Sequence, residues 1–89
     1  MAVTTEALLA GRGKTHGDWG EQAVITQSLK DVMRMVDGWD GLTSSDCEAL
    51  EMIAVKIGRI LAGDPNHRDH WLDISGYAML AAGRGPQND

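Results

Sequence analysis

Apolar residues at helical spacing fill three long segments of the chain, and glycine-rich breaks separate these segments. Such spacing is typical of amphipathic α-helices, and no segment alternates apolar and polar residues as a strand does. A core of Leu, Ile, Val, Met and Ala, without phenylalanine, also favours helical packing. The sequence therefore predicts an all-α bundle of about four helices, a short one at Thr5–Ala10 and longer ones at Asp18–Asp37, Ser45–Ala62 and Pro65–Gly83.

Residues with capping patterns predict where these helices begin. Asp18 and Ser45 each stand three residues before a glutamate, which is the pattern of a capping box. Asp64 is expected to cap the last helix, with Pro65 at its first position, where a missing N–H costs nothing. Gly38 is the expected end of the first long helix.

One apolar stripe on each long helix is the expected core. The helix at Ser45–Ala62 also carries Met52 and Val55 on its opposite side, so we expect both of its sides to be covered, one of them by another subunit. A homodimer through the three long helices follows from this expectation. The three stripes are Ile25, Leu29, Val32 and Val36; Leu50, Ile53, Ala54, Ile57, Ile60 and Leu61; and Trp71, Ile74, Ala78 and Ala81.

Length and charge restrict the class of protein. A chain of 89 residues predicts one small domain, with its core at residues 5–83 and a flexible tail at 84–89. Its net charge of −5 disfavours nucleic-acid binding and suits a cation or a basic protein partner. The single cysteine, Cys47, lies between two acids and is expected to be a packing residue in a reducing cytoplasm. With neither a secretory leader nor a long apolar run, we expect a cytoplasmic protein that does not bind a membrane.

Two pairs of carboxylates are candidates for chemistry. Glu48 and Glu51 are three residues apart, and Asp69 and Asp73 are four apart, so each pair shares one helix face. Carboxylates on neighbouring helices can hold Mg²⁺, a hard cation that is usually shared with substrate phosphates. The alternatives are a solvated face for the glutamates and, for Asp69, a position that the helix dipole favours.

Other polar side chains are candidates for ligand binding. Gly76 and Tyr77 continue the face of Asp73, and a glycine in mid-helix is expected to permit close approach of a helix or ligand. The loop with Lys14 and His16 leads into a helix N-terminus, which suits an anion, although it lacks the spacing of a P-loop and an ordinary loop is the alternative. The histidines of the last helix lack a zinc-binding pattern. The candidate ligand-binding residues are Lys14, His16, Lys56, Arg68 and Tyr77.

Three blocks of the sequence resemble a family of small phage and prophage proteins that is itself similar to the MazG-like all-α nucleotide pyrophosphohydrolases. The blocks are Arg12–Asp18, Ala49–Ile60 and Gly63–Tyr77. The enzymes of the MazG-like group hold Mg²⁺ with Glu-x-x-Glu on one helix and Glu-x-x-Asp on the next, and they cut a nucleoside triphosphate to the monophosphate and pyrophosphate. Glu48–Glu51 matches the first motif, whereas His70 stands where the second motif has its glutamate.

The resemblance implies a protein that binds or hydrolyses a nucleoside triphosphate. Mg²⁺ would be held by the four acids already named, with Glu48 or Glu51 orienting the attacking water. Lys14, His16, Lys56 and Arg68 would neutralise phosphate, and Tyr77 would contact the nucleoside. The departure in the second motif, together with the acidic charge, leaves an alternative: a non-catalytic interaction protein that inhibits or modulates a host protein, such as a defence complex.

Overall fold

The computed structural model describes residues 18–63 and 65–83, which form four α-helices. Within these two ranges no strand occurs, so the predicted all-α class is confirmed. The predicted helix at Thr5–Ala10 and the predicted tail at 84–89 lie outside the described residues. The helices are α1 (Trp19–Arg34), α2 (Asp37–Asp40), α3 (Ser44–Ala62) and α4 (Arg68–Gly83).

The three long helices form a single layer with α3 in the middle. Helix α3 packs against α1 on one flank and α4 on the other, whereas α1 and α4 make almost no contact with each other. Both outer helices run antiparallel to α3, and the N–H of Asp18 donates to the carbonyl of Ala62 at 3.1 Å. Helices α1 and α4 thus cover two opposite flanks of α3, whereas Leu50 and Leu61 stay exposed between them. The homodimer stays a prediction.

The first long helix begins where the sequence predicts and ends earlier. The Asp18 carboxylate accepts a hydrogen bond from the N–H of Glu21 at 2.7 Å, which confirms the predicted cap. Helix α1 ends at Arg34 rather than at Asp37, because Val36 adopts extended backbone with φ −108° and ψ 150°. The predicted end at Gly38 is therefore wrong, since Gly38 lies inside the one-turn helix α2.

The predicted starts of the other two long helices are wrong. The cap of helix α3 lies two residues before the predicted one, because Thr43 rather than Ser45 accepts the hydrogen bond of the first turn, from the N–H of Asp46 at 3.1 Å. Helix α4 begins at Arg68, and Pro65 lies in the preceding turn. The carbonyl of Pro65 accepts a hydrogen bond from the Trp71 indole N–H at 2.7 Å, which ties this turn to α4.

Replacement of Thr43 tests which residue caps α3. We expect Thr43→Ala to lower the free energy of unfolding by about 1 kcal/mol, because the N–H of Asp46 loses its acceptor. Ser45→Ala is the matched control and should change stability by less than about 0.5 kcal/mol, since Ser45 is exposed and lies inside the helix. Urea unfolding of both variants measures the difference, and a larger loss with Ser45→Ala would restore the cap predicted from sequence.

Helices α1 and α3 approach most closely at Gly58. A Cβ at this position would lie 2.5 Å from the Thr26 Oγ1 and 3.1 Å from the carbonyl oxygen of Gln22. Gln22 and Thr26 are both buried at this contact, although the sequence assigned α1 a different inward stripe. At Gly76, the glycine expected to permit close approach, a Cβ would meet nothing within 4 Å.

Much of the predicted core is exposed in the single chain. In residues 18–63 and 65–83 the buried apolar side chains are those of Ala49, Ala54 and Ile60. Val32 is 63% exposed, Leu61 66% and Trp71 55%. The prediction of core positions is therefore wrong for five large side chains, which are Val32, Val36, Leu50, Leu61 and Trp71.

The positions of contacts around α3 explain this exposure. Gly58 faces α1 and Lys56 contacts α4, and these two residues are about 200° apart around the helix. Ile57 lies between them, on a side of α3 that neither α1 nor α4 covers. Leu50 and Leu61 fall on the same edge of α3 because they are seven and four residues from Ile57. One edge of the central helix is thus apolar along its length.

The outer helices add further apolar residues to this side of the layer. On α1, Arg34 and Ile25 lie on opposite sides of Thr26. Because Arg34 pairs with Glu51 of α3, Arg34 lies on the charged side and Ile25 on the apolar side. Helix α4 is also antiparallel to α3, so the same reasoning places Trp71 on the apolar side of α4 and Asp73 on the charged side. We define the apolar face as Ile25, Val32, Leu50, Ile57, Leu61, Trp71, Ile74 and Ala78. The charged face, on the other side of the layer, is defined as Lys30, Arg34, Glu48, Glu51, Arg59, Asp69 and Asp73.

Candidate functional site

Glu51, one of the predicted catalytic and metal-binding acids, is paired with a cation of α1. Its Oε2 accepts a hydrogen bond from the Arg34 guanidinium at 2.6 Å, across the contact between α1 and α3. The pair is partly solvated, so its contribution to stability is modest. Its chemical consequence is larger, because a guanidinium on the carboxylate competes with any metal ion that would bind there.

Asp73, a predicted metal ligand, is paired with a cation of α3. Its Oδ2 lies 3.0 Å from the Lys56 Nζ. The Lys56 side chain is only 11% exposed, whereas that of Asp73 is 46% exposed. A buried ammonium needs a partner, so the aspartate neutralises Lys56 from the wet side of the contact.

The two pairs of predicted acids do not meet within one chain. Glu51 points towards α1, whereas Lys56 brings Asp73 to the opposite flank of α3, about 7.5 Å further along the helix axis. Glu48 and Asp69 are exposed. In the described part of the chain, no group of three or more His, Cys, Asp or Glu side chains is placed to hold a metal ion. A magnesium site made by all four acids stays a prediction.

A groove beside the Lys56–Asp73 pair collects three residues that the sequence placed on one helix face. Asp73, Gly76 and Tyr77 line it, and Leu72 and Leu80 form its apolar walls. Its volume is about 400 Å³, within the ~300–1,000 Å³ typical of small-molecule sites. The missing side chain at Gly76 leaves the groove open, since no atom lies within 4 Å of a Cβ built there.

The remaining candidate residues lie elsewhere. Arg68 lines a neighbouring depression with Pro65, Asn66, Trp71 and Leu72, and Leu72 also borders the groove. Lys14 and His16 lie outside the described residues. His70 is buried, with its ring centroid 4.6 Å from that of His67.

Sequence reasoning missed the two apolar walls of the groove and the role of Arg34. Leu72, Gly76 and Leu80 recur every four residues, which places them on one face of α4. This spacing was available in the sequence and could have identified the walls. The Arg34–Glu51 pair had no such signal, because it depends on how α1 packs against α3.

The fold and this groove define a small all-α domain whose three long helices form one layer with a charged side and an apolar side. The chain belongs to the family described as a domain of unknown function (DUF6378), whose model matches residues 1–84. No curated protein and no solved structure matches the chain. Among the helices of residues 18–63 and 65–83, none is long and apolar enough to cross a bilayer.

Proposed function

We propose that this domain binds a nucleotide in the groove of α4. The observation that carries the proposal is the placement of Asp73, Gly76 and Tyr77 in one groove beside the ammonium of Lys56. A nucleotide needs an aromatic or apolar surface for its base and a cation near its phosphates. The groove supplies the apolar and aromatic surface through Tyr77 and two leucine walls. Lys56 does not line the groove, but its ammonium lies 3.0 Å from Asp73 and supplies the cation.

Each residue of the groove has a role in this proposal. The Tyr77 ring stacks on the base, and Gly76 leaves room for it. Asp73 keeps nearly half of its side chain exposed and can coordinate Mg²⁺ or accept a hydrogen bond from a ribose hydroxyl. Lys56 then shares its charge between Asp73 and a phosphate. Mg²⁺ bound to a nucleotide keeps several waters and does not require a cage of four carboxylates.

The ligand class of this proposal comes from the resemblance of three sequence blocks to phage proteins and MazG-like pyrophosphohydrolases, and the geometry favours binding over hydrolysis. Hydrolysis would need Glu48 and Glu51 at the same Mg²⁺ as Asp69 and Asp73. Glu51 is held by Arg34 on the other flank of α3. For a single chain we therefore propose a nucleoside triphosphate ligand without turnover.

Calorimetric titration with nucleoside triphosphates and Mg²⁺ tests the proposal. We expect binding, and a loss of about tenfold in affinity in Lys56→Met, because one phosphate contact is removed while the aliphatic stem is kept. Lys30→Met is the matched control, since Lys30 lies on α1 away from the groove, and its affinity should be unchanged. The absence of a binding signal for every nucleotide up to millimolar concentration, or an equal loss in both variants, would refute the proposal.

The second candidate is a non-catalytic interaction protein that modulates another protein. The observation that favours it is that two of the four predicted metal ligands are already neutralised by Arg34 and Lys56. With a net charge of −5, the chain would then act by occupying a basic site on its partner. Thermal unfolding separates the two functions, because only the nucleotide-binding version predicts a rise in the unfolding midpoint with ligand.

A further inference from the structure

We propose that the apolar face docks against the apolar face of a second copy of the chain. This surface exposes more large apolar side chains than a stable monomer is expected to leave in water. Val32, Leu61 and Trp71 are each more than half exposed, although the sequence places them on the apolar stripes of their helices. With only alanines and one isoleucine buried among the described apolar residues, stacking two layers is the way for this chain to gain a core.

The size of the face suits another layer of helices. From Leu50 to Leu61 it extends about 17 Å along α3, and three helices about 9 Å apart make it about 25 Å wide. The surface is on the order of 500 Å² per copy, so two copies bury about 1,000 Å², the lower bound for a specific interface. A single helix about 10 Å wide would leave more than half of this width in water.

The distribution of charge favours an identical partner. The central residues of the face carry no charge, so a two-fold pair brings no like charges together. The ion pairs Arg34–Glu51 and Lys56–Asp73 lie towards the other side of the layer and stay in water. A highly charged partner would gain no ion pair from the central residues of this face.

The chain's own N-terminal segment is a poorer occupant. Residues 1–17 contain four large apolar side chains, those of Met1, Val3, Leu8 and Leu9. These are fewer than the seven large apolar side chains that the face carries across three helices, four of them exposed and three half-buried. A second copy offers an apolar surface of equal area and therefore satisfies the whole face.

The mass of the full chain in solution tests the proposal. We expect a dimer of about 19 kDa, twice the 9.6 kDa of one chain. The double variant Val32→Lys/Leu61→Lys should weaken this dimer by about 100-fold, because it places four charges in the interface, two from each copy. Val24→Lys/Met79→Lys is the matched control. Its positions are 67% and 70% exposed but lie on the outer sides of α1 and α4, and its dimer should be unchanged.

The wild-type chain gives a second readout that needs no variant. The unfolding temperature of a dimer rises with protein concentration, whereas that of a monomer does not. A concentration-dependent midpoint with the control variant matching the wild type supports the proposal even if Val32→Lys/Leu61→Lys fails to fold. A 9.6 kDa species at all concentrations overturns it, as does equal weakening by both double variants. If deleting residues 1–17 converts a monomer into a dimer, that segment covers the face instead.

Discussion

Gly58→Ala is expected to lower the free energy of unfolding by about 2 kcal/mol, although alanine is the better helix former. In a free helix this change gains about 1 kcal/mol. Here the new Cβ would lie 2.5 Å from the Thr26 Oγ1 and 3.1 Å from a backbone oxygen of α1. Thr26 is buried and branched at Cβ, so it has little freedom to turn away. Overpacking costs about 1–3 kcal/mol and outweighs the gain in helix propensity when backbones must separate.

Gly76→Ala is the matched control for this prediction. Gly76 is also in the middle of a long helix, but no atom lies within 4 Å of a Cβ built there. Helix propensity then acts alone, and we expect a gain of about 0.5–1 kcal/mol. Urea unfolding of the two variants should therefore give changes of opposite sign. Stabilisation by Gly58→Ala would mean that α1 and α3 do not pack as closely as the structure shows.

These two glycines show where reasoning from the sequence stops. Both interrupt a helical pattern, and the sequence cannot say which one lies at a crossing of helices. The class and number of the long helices could be predicted because their spacing and capping signals are local. The rotation of α1 could not, because the close approach at Gly58 admits the slender side chain of Thr26 and turns Val32 outward.

The candidate site, too, could be predicted from the sequence only in part. Asp73, Gly76 and Tyr77 could be grouped from the sequence because one helix face carries all three. The partners of the acids could not be predicted, because Arg34 reaches Glu51 and Lys56 reaches Asp73 only after three helices have packed. The sequence predicts four carboxylates as ligands for one ion. In the structure two of them, Glu51 and Asp73, are instead neutralised by Arg34 and Lys56 on opposite flanks of α3.

The single layer also separates the two proposed surfaces. The groove with Tyr77 opens on the outer and charged sides of α4, whereas Leu50, Ile57 and Leu61 lie on the opposite side of the layer. A second copy on the apolar face would leave the groove accessible. Nucleotide binding and self-association can therefore be tested separately, since Lys56→Met should not change the mass of the assembly.

The Lys56–Asp73 pair should respond very differently to removal of its two members. Asp73→Ala leaves an ammonium that is only 11% exposed without its carboxylate, and we expect a loss of about 2–3 kcal/mol. This is less than the ~3–5 kcal/mol of a fully buried pair, because the 46% exposure of Asp73 lets water approach from its side. Lys56→Met removes the charge and keeps the packing of the stem, so it should cost less than about 1 kcal/mol.

The double variant Lys56→Met/Asp73→Ala decides whether this asymmetry has the proposed cause. If the cost of Asp73→Ala comes from the unpaired ammonium, removing that ammonium should restore most of the lost stability. The double variant should then unfold at a higher urea concentration than Asp73→Ala alone, which is opposite to the additive result expected of independent sites. Additive losses would show that Asp73 stabilises the chain through contacts other than Lys56. Because Lys56 joins α3 to α4 beside the groove, the same measurement shows whether Lys56→Met can be used to test nucleotide binding in a folded protein.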